Sequence, residues 1–165
     1  MCAMRMCANR THAIPIGLLL ALAGCGGQSP SPTAPSSPTS FLTGTWTGTV
    51  TIQVNPGDPG APPPTSGPTT WTFSVVPQTD LRTFTTAIRS QDPWLAIETT
   101  ATTALTPGNT APTQISTQGE YNSPRGCRGT FASIGMAQAT RIEADFNGSD
   151  CQLATFSGTV VLTKQ

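Results

Sequence analysis

The sequence predicts an all-β fold, a small antiparallel β-barrel of about eight strands, and three observations carry that prediction. Apolar and polar residues alternate with a period of two, most plainly in Trp46, Gly48, Val50, Ile52 and Val54 against Thr45, Thr47, Thr49, Thr51 and Gln53. The alternating stretches are short and are punctuated by Pro, Gly, Asn and Asp, and no ten-residue stretch carries a helical period. The first and last stretches echo each other, Gly44-Thr45-Trp46-Thr47-Gly48 at one end and Phe156-Ser157-Gly158-Thr159-Val160 at the other. Pairing them closes the sheet and removes edges that a threonine-rich sheet must otherwise protect. A two-sheet β-sandwich is the alternative architecture.

The first strand spans residues 44–54, with Trp46 to Val54 inward. Threonine on the other face suits a pleated surface, so the many threonines are expected to be strand formers that stay wet. Residues 55–70 hold six prolines and three glycines and are expected to form a disordered insertion between strands, since loops of that length are uncommon in compact domains. The second strand, 69–76, turns Trp71, Phe73 and Val75 to one side, and the third, 82–89, does the same with Phe84, Thr86 and Ile88. Strands at 95–102, 113–121, 126–133, 139–146 and 151–163 complete the set. In the last, Phe156, Gly158, Val160 and Leu162 face inward. Asn147-Gly148 is the sequence signal of a two-residue hairpin. Glycines within these strands suit the tight bends of a small barrel.

The front of the chain has a different character. Arg5 and Arg10 precede the apolar stretch from Ile14 to Ala23, which is broken by Pro15 and is too short to span a bilayer. It ends in Leu22-Ala23-Gly24-Cys25, which resembles the lipobox of bacterial lipoproteins. The resemblance implies a signal peptide over 1–24, cleavage before Cys25, and acylation of the Cys25 thiol as the membrane anchor, palmitate being the representative chain. Two or three acyl chains make such attachment effectively permanent, at about 0.8 kcal/mol per buried methylene. The implied location is the bacterial cell envelope. Gly26, where inner-membrane lipoproteins of enteric bacteria carry aspartate, leans that location to the outer membrane.

Residues 25–40 then form a linker rich in Pro, Ser and Thr, unable to bury enough apolar area to fold. It reaches about 45 Å at roughly 3.1 Å per residue, and the β domain follows over 41–165. Export also divides the five cysteines: Cys2 and Cys7 leave with the signal, Cys25 is lipidated, and Cys127 and Cys151 remain to form a disulfide in an oxidising compartment. Closing a loop of about 25 residues stabilises by about 3.5 kcal/mol in the chain-entropy model. Two cysteines without a histidine are too few for a metal site, and no cofactor is expected.

Loss of Arg5 and Arg10 leaves six basic residues against eight acidic ones, a formal charge of about −2. No cluster of Lys and Arg is present to hold nucleic acid phosphates. The single histidine, His12, departs with the signal, and with it the commonest general base and triad partner. No nucleophile elbow or phosphate loop occurs. The sequence therefore predicts no catalytic residues and no enzyme.

Gly44-Thr45-Trp46 resembles the Gly-x-Trp opening of lipocalin-type barrels, and Thr43-Gly44-Thr45-Trp46 is similar to the opening of avidin-like barrels. In lipocalins that tryptophan closes the barrel base under an arginine near the last strand, where this chain has Lys164. The ligand-stacking tryptophans of avidins have no counterpart that a motif places on Trp71 or Trp94. The lipocalin-like likeness implies a site for a small apolar ligand where Trp46, Trp71, Phe73, Phe84 and Phe156 converge; the same five side chains otherwise form the core.

Four further features carry a plain and a functional reading. Glu143 and Asp145 lie beside Arg141 on the face opposite Ile142, Ala144 and Phe146, so a charged outer surface is favoured over a glycosidase pair. Asp92-Pro93-Trp94 reads as a capped turn before it reads as a sugar or peptide platform. Arg125 and Arg128 flank Cys127, as solubilising loop residues or as an anion site. The sequon-like Asn147-Gly148-Ser149 is taken as a turn. Two functions remain: an envelope structural or interaction module that meets an envelope protein or glycan through its loops, and a barrel that encloses an apolar ligand. An internal cavity of about 300 Å³ or more separates them.

Overall fold

The computed structural model describes residues 40–75, 82–106, 112–151 and 154–165. The lipobox, Cys25 and the linker up to residue 39 lie outside the described residues.

A short 3-10 turn, Ser40–Leu42, leads into eight strands: β1 (Gly44–Val54), β2 (Thr65–Ser74), β3 (Thr83–Gln91), β4 (Ala96–Leu105), β5 (Thr113–Asn122), β6 (Arg128–Ala137), β7 (Arg141–Asp150) and β8 (Ala154–Lys164). Each pairs antiparallel with its neighbours in sequence, and β8 returns to β1, so the sheet is a closed up-and-down barrel. The closing ladder runs from Trp46 opposite Lys164 to Val54 opposite Phe156. Closure leaves no long ladder edge to protect, the physical gain expected of a sheet this rich in threonine. The barrel is the predicted architecture, and the sandwich alternative is excluded by that β1–β8 pairing.

The inward faces follow the two-residue period. Trp46, Val50, Ile52 and Val54 are buried on β1, Trp71 and Phe73 on β2, Phe84, Thr86 and Ile88 on β3, and Phe156, Val160 and Leu162 on β8. Val75 is also buried, just beyond the end of β2. At 25–30 cal/mol per Å² of apolar area removed from water, these rows drive the barrel shut.

Three expectations are corrected. Residues 65–70 belong to β2, because Ser66, Gly67 and Pro68 pair with Thr51, Val50 and Thr49. Pro68 is tolerated because the β2–β3 ladder begins only at Thr69, so no β3 acceptor requires its missing N–H. The remaining excursion, 55–64, is folded on itself: the Asp58 and Ala61 amides bond to the Asn55 and Asp58 carbonyls, and Gln53 Nε2 donates to the Pro62 carbonyl. It is not a disordered insertion.

The second correction concerns Asn147-Gly148, which form no turn. They lie inside β7, opposite Ser157 and Phe156, and the reversal comes after Asp150. A Cβ on Gly148 would stand 2.2 Å from the Thr130 carbonyl oxygen and 2.3 Å from Phe156 Cζ. This glycine serves close strand approach, not turn geometry.

The third concerns threonine. Thr69, Thr86, Thr103, Thr113 and Thr117 are buried, not wet. Three of them satisfy one another in a hydroxyl chain across β3, β4 and β5, Thr86 to Thr103 at 2.6 Å and Thr103 to Thr117 at 2.8 Å. A hydroxyl both donates and accepts, so such a chain removes most of the cost of burial.

Candidate functional site

The barrel interior is packed. Inward side chains of most strands, among them Val50, Trp71, Ile88, Ile97, Phe131, Phe146 and Val160, leave a void of about 30 Å³. That is room for a water molecule or two, an order of magnitude below a ligand pocket.

Of the five aromatic residues expected to converge, four do and one does not. Phe73 stands edge-on to Trp46 at 6.3 Å and to Phe84 at 6.0 Å, and lies 6.1 Å from Trp71. Phe156 belongs to a second cluster with Trp94 at 5.3 Å, Phe146 at 5.9 Å and Tyr121 at 6.4 Å. The two clusters occupy opposite ends of the barrel because Trp46 lies at the start of β1 while Phe156 pairs with its far end, Val54.

Each end is shut by a tryptophan beneath a cation. Where the chain enters, the wholly buried Trp46 donates Nε1–H to the Leu42 carbonyl at 2.8 Å. The Lys164 ammonium lies 5.7 Å from the Trp46 ring centroid and donates to the Phe41 carbonyl. Lysine thus stands over the tryptophan. A cation over an indole contributes about 0.5–1 kcal/mol at exposed sites and more when desolvated.

At the opposite end the Asp92-Pro93-Trp94 turn sets Trp94 over Phe156. Asp92 is fully buried, and its Oδ1 accepts from the Trp94 amide at 2.8 Å, the Leu95 amide at 3.0 Å and Thr65 Oγ1 at 3.0 Å. The capped-turn reading holds. The Arg125 guanidinium carbon lies 4.4 Å from the Trp94 ring centroid, and Arg125 Nη1 donates to Asp150 Oδ2 at 2.5 Å. Asp150 is 1% exposed in its side chain and Arg125 43%. Arg125 therefore spans from solvent to a buried carboxylate and is no mere solubilising residue.

Burial pushes the Asp150 carboxyl up, but hydrogen bonds from Ser123 and the Cys151 backbone, with Arg125 bonded and opposite in charge, outweigh it and hold the group below its ordinary value. Tyr121 is displaced upward, first by burial and then by the negative charge of Asp150, so its phenol stays neutral. Cys127 and Cys151 form a disulfide with Cα atoms 5.5 Å apart. It ties the β5–β6 loop carrying Ser123 and Arg125 to the residue following Asp150, clamping both partners of the ion pair. Asp150 was missed in the sequence, yet a signal was there: it falls on the inward phase set by Ile142, Ala144 and Phe146.

The other charged candidates lie outside. Arg141 Nε donates to Glu143 Oε1 at 2.6 Å, and Arg128 pairs with Glu120 at 3.1 Å with both side chains exposed. Such surface pairs contribute about 0–1 kcal/mol. Arg128 and Arg125 reach different carboxylates and do not form a joint anion site. Outward positions carry mostly Thr, Ser, Gln and charged residues, apart from Pro68, the half-buried Val161 and isolated alanines. On β6 alone the sequence Ala132, Ile134, Met136 brings apolar side chains out in succession, Ile134 54% and Met136 42% exposed.

The fold and its closed ends define a small, packed, disulfide-linked β-barrel. No protein-family model matches the chain, and no curated protein matches it. Among solved structures, a redesigned beta barrel is similar over 81% of this chain and 99% of that one, with 16% identity and a TM-score of 0.39.

Proposed function

We propose that the protein is an exported bacterial lipoprotein, anchored through lipid on Cys25, whose barrel is a non-catalytic envelope module that works by contacts on its outer surface. One observation carries the choice between an interaction module and an internal binding site. The interior holds a void of only about 30 Å³ behind two tryptophan plugs, whereas small-molecule sites need about 300 Å³ or more.

The lipobox supports the anchor and the envelope location, and Gly26 supports the outer membrane. The Lys164–Trp46 contact supports a lipocalin-like construction with lysine in the arginine's place, and a filled interior separates that likeness of build from lipocalin-like binding. The non-catalytic reading is supported by the placement of the reactive groups: Cys127 and Cys151 are joined to each other, Asp150 is locked under Arg125, and Glu143 is held by Arg141 on the outer wall.

Metabolic labelling with a palmitate analogue in a bacterial host, followed by membrane fractionation, tests the anchor. Wild type should take up label and sediment with membranes, and Cys25→Ser should lose both properties. An unlabelled wild type overturns the anchored reading.

A further inference from the structure

We propose that the outer face of β6 and β7 docks a polypeptide segment that presents apolar side chains together with an arginine or lysine. The inference rests on the reading that the barrel acts from its outer surface, and it names the face and the chemistry of the partner.

The placement follows from register. β7 sets Asp145 opposite Ile134 and Glu143 opposite Met136, and β8 then sets Thr159 opposite Asp145 and Val161 opposite Glu143. An apolar row on β6 and the half-buried Val161 on β8 therefore bracket two carboxylates. Gly135, facing Ala144 across the ladder, lets the backbones approach so closely that a Cβ there would stand 2.3 Å from Ala144 Cβ. Two shallow grooves of about 520 and 480 Å³ lie on this face, sharing Ile134 and Asp145 in their walls.

Charge selects the occupant. Glu143 is held by Arg141, whereas Asp145 makes no ion pair among the described residues. A purely apolar partner covering Ile134 would desolvate Asp145 without compensation, which is unfavourable. A cation on the partner restores that loss while its apolar neighbours cover Ile134 and Met136. An anionic lipid surface is repelled by the same carboxylates. A second copy of the chain offers the same acidic face, and Arg141, the cation beside it, is engaged by Glu143.

The test titrates the isotope-labelled full chain with the synthetic peptide acetyl-Leu-Arg-Leu-Arg-Leu-Arg-amide and follows backbone amide shifts. A peptide with Glu for Arg and another with Ser for Leu serve as controls. The expected result is saturable shifts confined to 132–136, 143–147 and 159–161 with the Leu-Arg peptide alone. Asp145→Lys should weaken binding about tenfold, Ile134→Ser with Met136→Ser should do likewise, and Asp145→Glu should retain it. All four substitutions are at exposed positions, and unchanged amide dispersion reports the intact barrel. Equal binding of the Glu peptide, no binding at millimolar concentration, or a dimer in sedimentation that covers Ile134 overturns the proposal. Shifts confined to 92–95 and 123–127 overturn the face while leaving the outer-surface reading intact; shifts confined to the inward aromatic residues overturn both.

Discussion

Asp150 is a carboxylate 1% exposed whose charge is met by Arg125 and by hydrogen bonds from Ser123 and Cys151. Its carboxyl titrates lower in the folded chain than in the unfolded one, so the folded state is favoured wherever the group is ionised. That contribution is fully present above the ordinary aspartate value of about 3.9 and fades as pH falls through the lower folded value. Denaturant unfolding at pH 7 and at pH 3 should therefore show wild type losing more stability in acid than Asp150→Asn loses. An equal loss in both proteins would contradict the assignment. Arg125→Met should cost about 1–3 kcal/mol at pH 7, since it takes one charged partner from a buried oxygen while Ser123 and the backbone remain.

At the scale of the elements, all eight strands are legible from alternation and turn residues, though the far end of β7 reads as a turn. The register of β7 is where local signals mislead. Asn-Gly is the strongest short hairpin signal, but Asn147 and Gly148 continue the alternation begun by Ile142, Ala144 and Phe146, and tertiary contact with Phe156 overrides the turn. Two substitutions separate a strand from a turn here. Asn147→Val, at an exposed strand position, should shift stability by no more than about 0.5 kcal/mol. Gly148→Ala should cost about 1–3 kcal/mol, because the added methyl meets the Thr130 carbonyl and the Phe156 ring. A costly Asn147→Val would place a positive-φ turn at this point instead. The 55–70 stretch was misjudged for a related reason: proline content argues against a central strand, and only the ladder shows that Pro68 precedes the β3 pairing. Inward threonines escaped notice because hydrophobic patterning counts them as surface, although Thr86 fell on the inward phase of its strand.

Across the whole molecule, barrel closure and the Cys127–Cys151 bond were readable, the first from the echo between terminal strands and the second from the pairing expected of the two cysteines left in an exported chain. Whether the interior is hollow was not readable. The same aromatic residues line a ligand site or fill a core, and only their packing decides between them. Here Trp46 and Phe73 with their neighbours close one end, Trp94 and Phe156 close the other, and about 30 Å³ remains between. On the wall of a barrel so filled, the apolar side chains of β6 interrupt a coat of threonine, serine and glutamine. Trp46, Trp71 and Trp94, the three tryptophans of the chain, all lie in the barrel and report on it directly. Titration of the full chain with palmitate, followed by tryptophan emission, should give no saturable change. A one-to-one saturable change that Trp71→Phe diminishes would show a ligand inside the barrel and contradict the account.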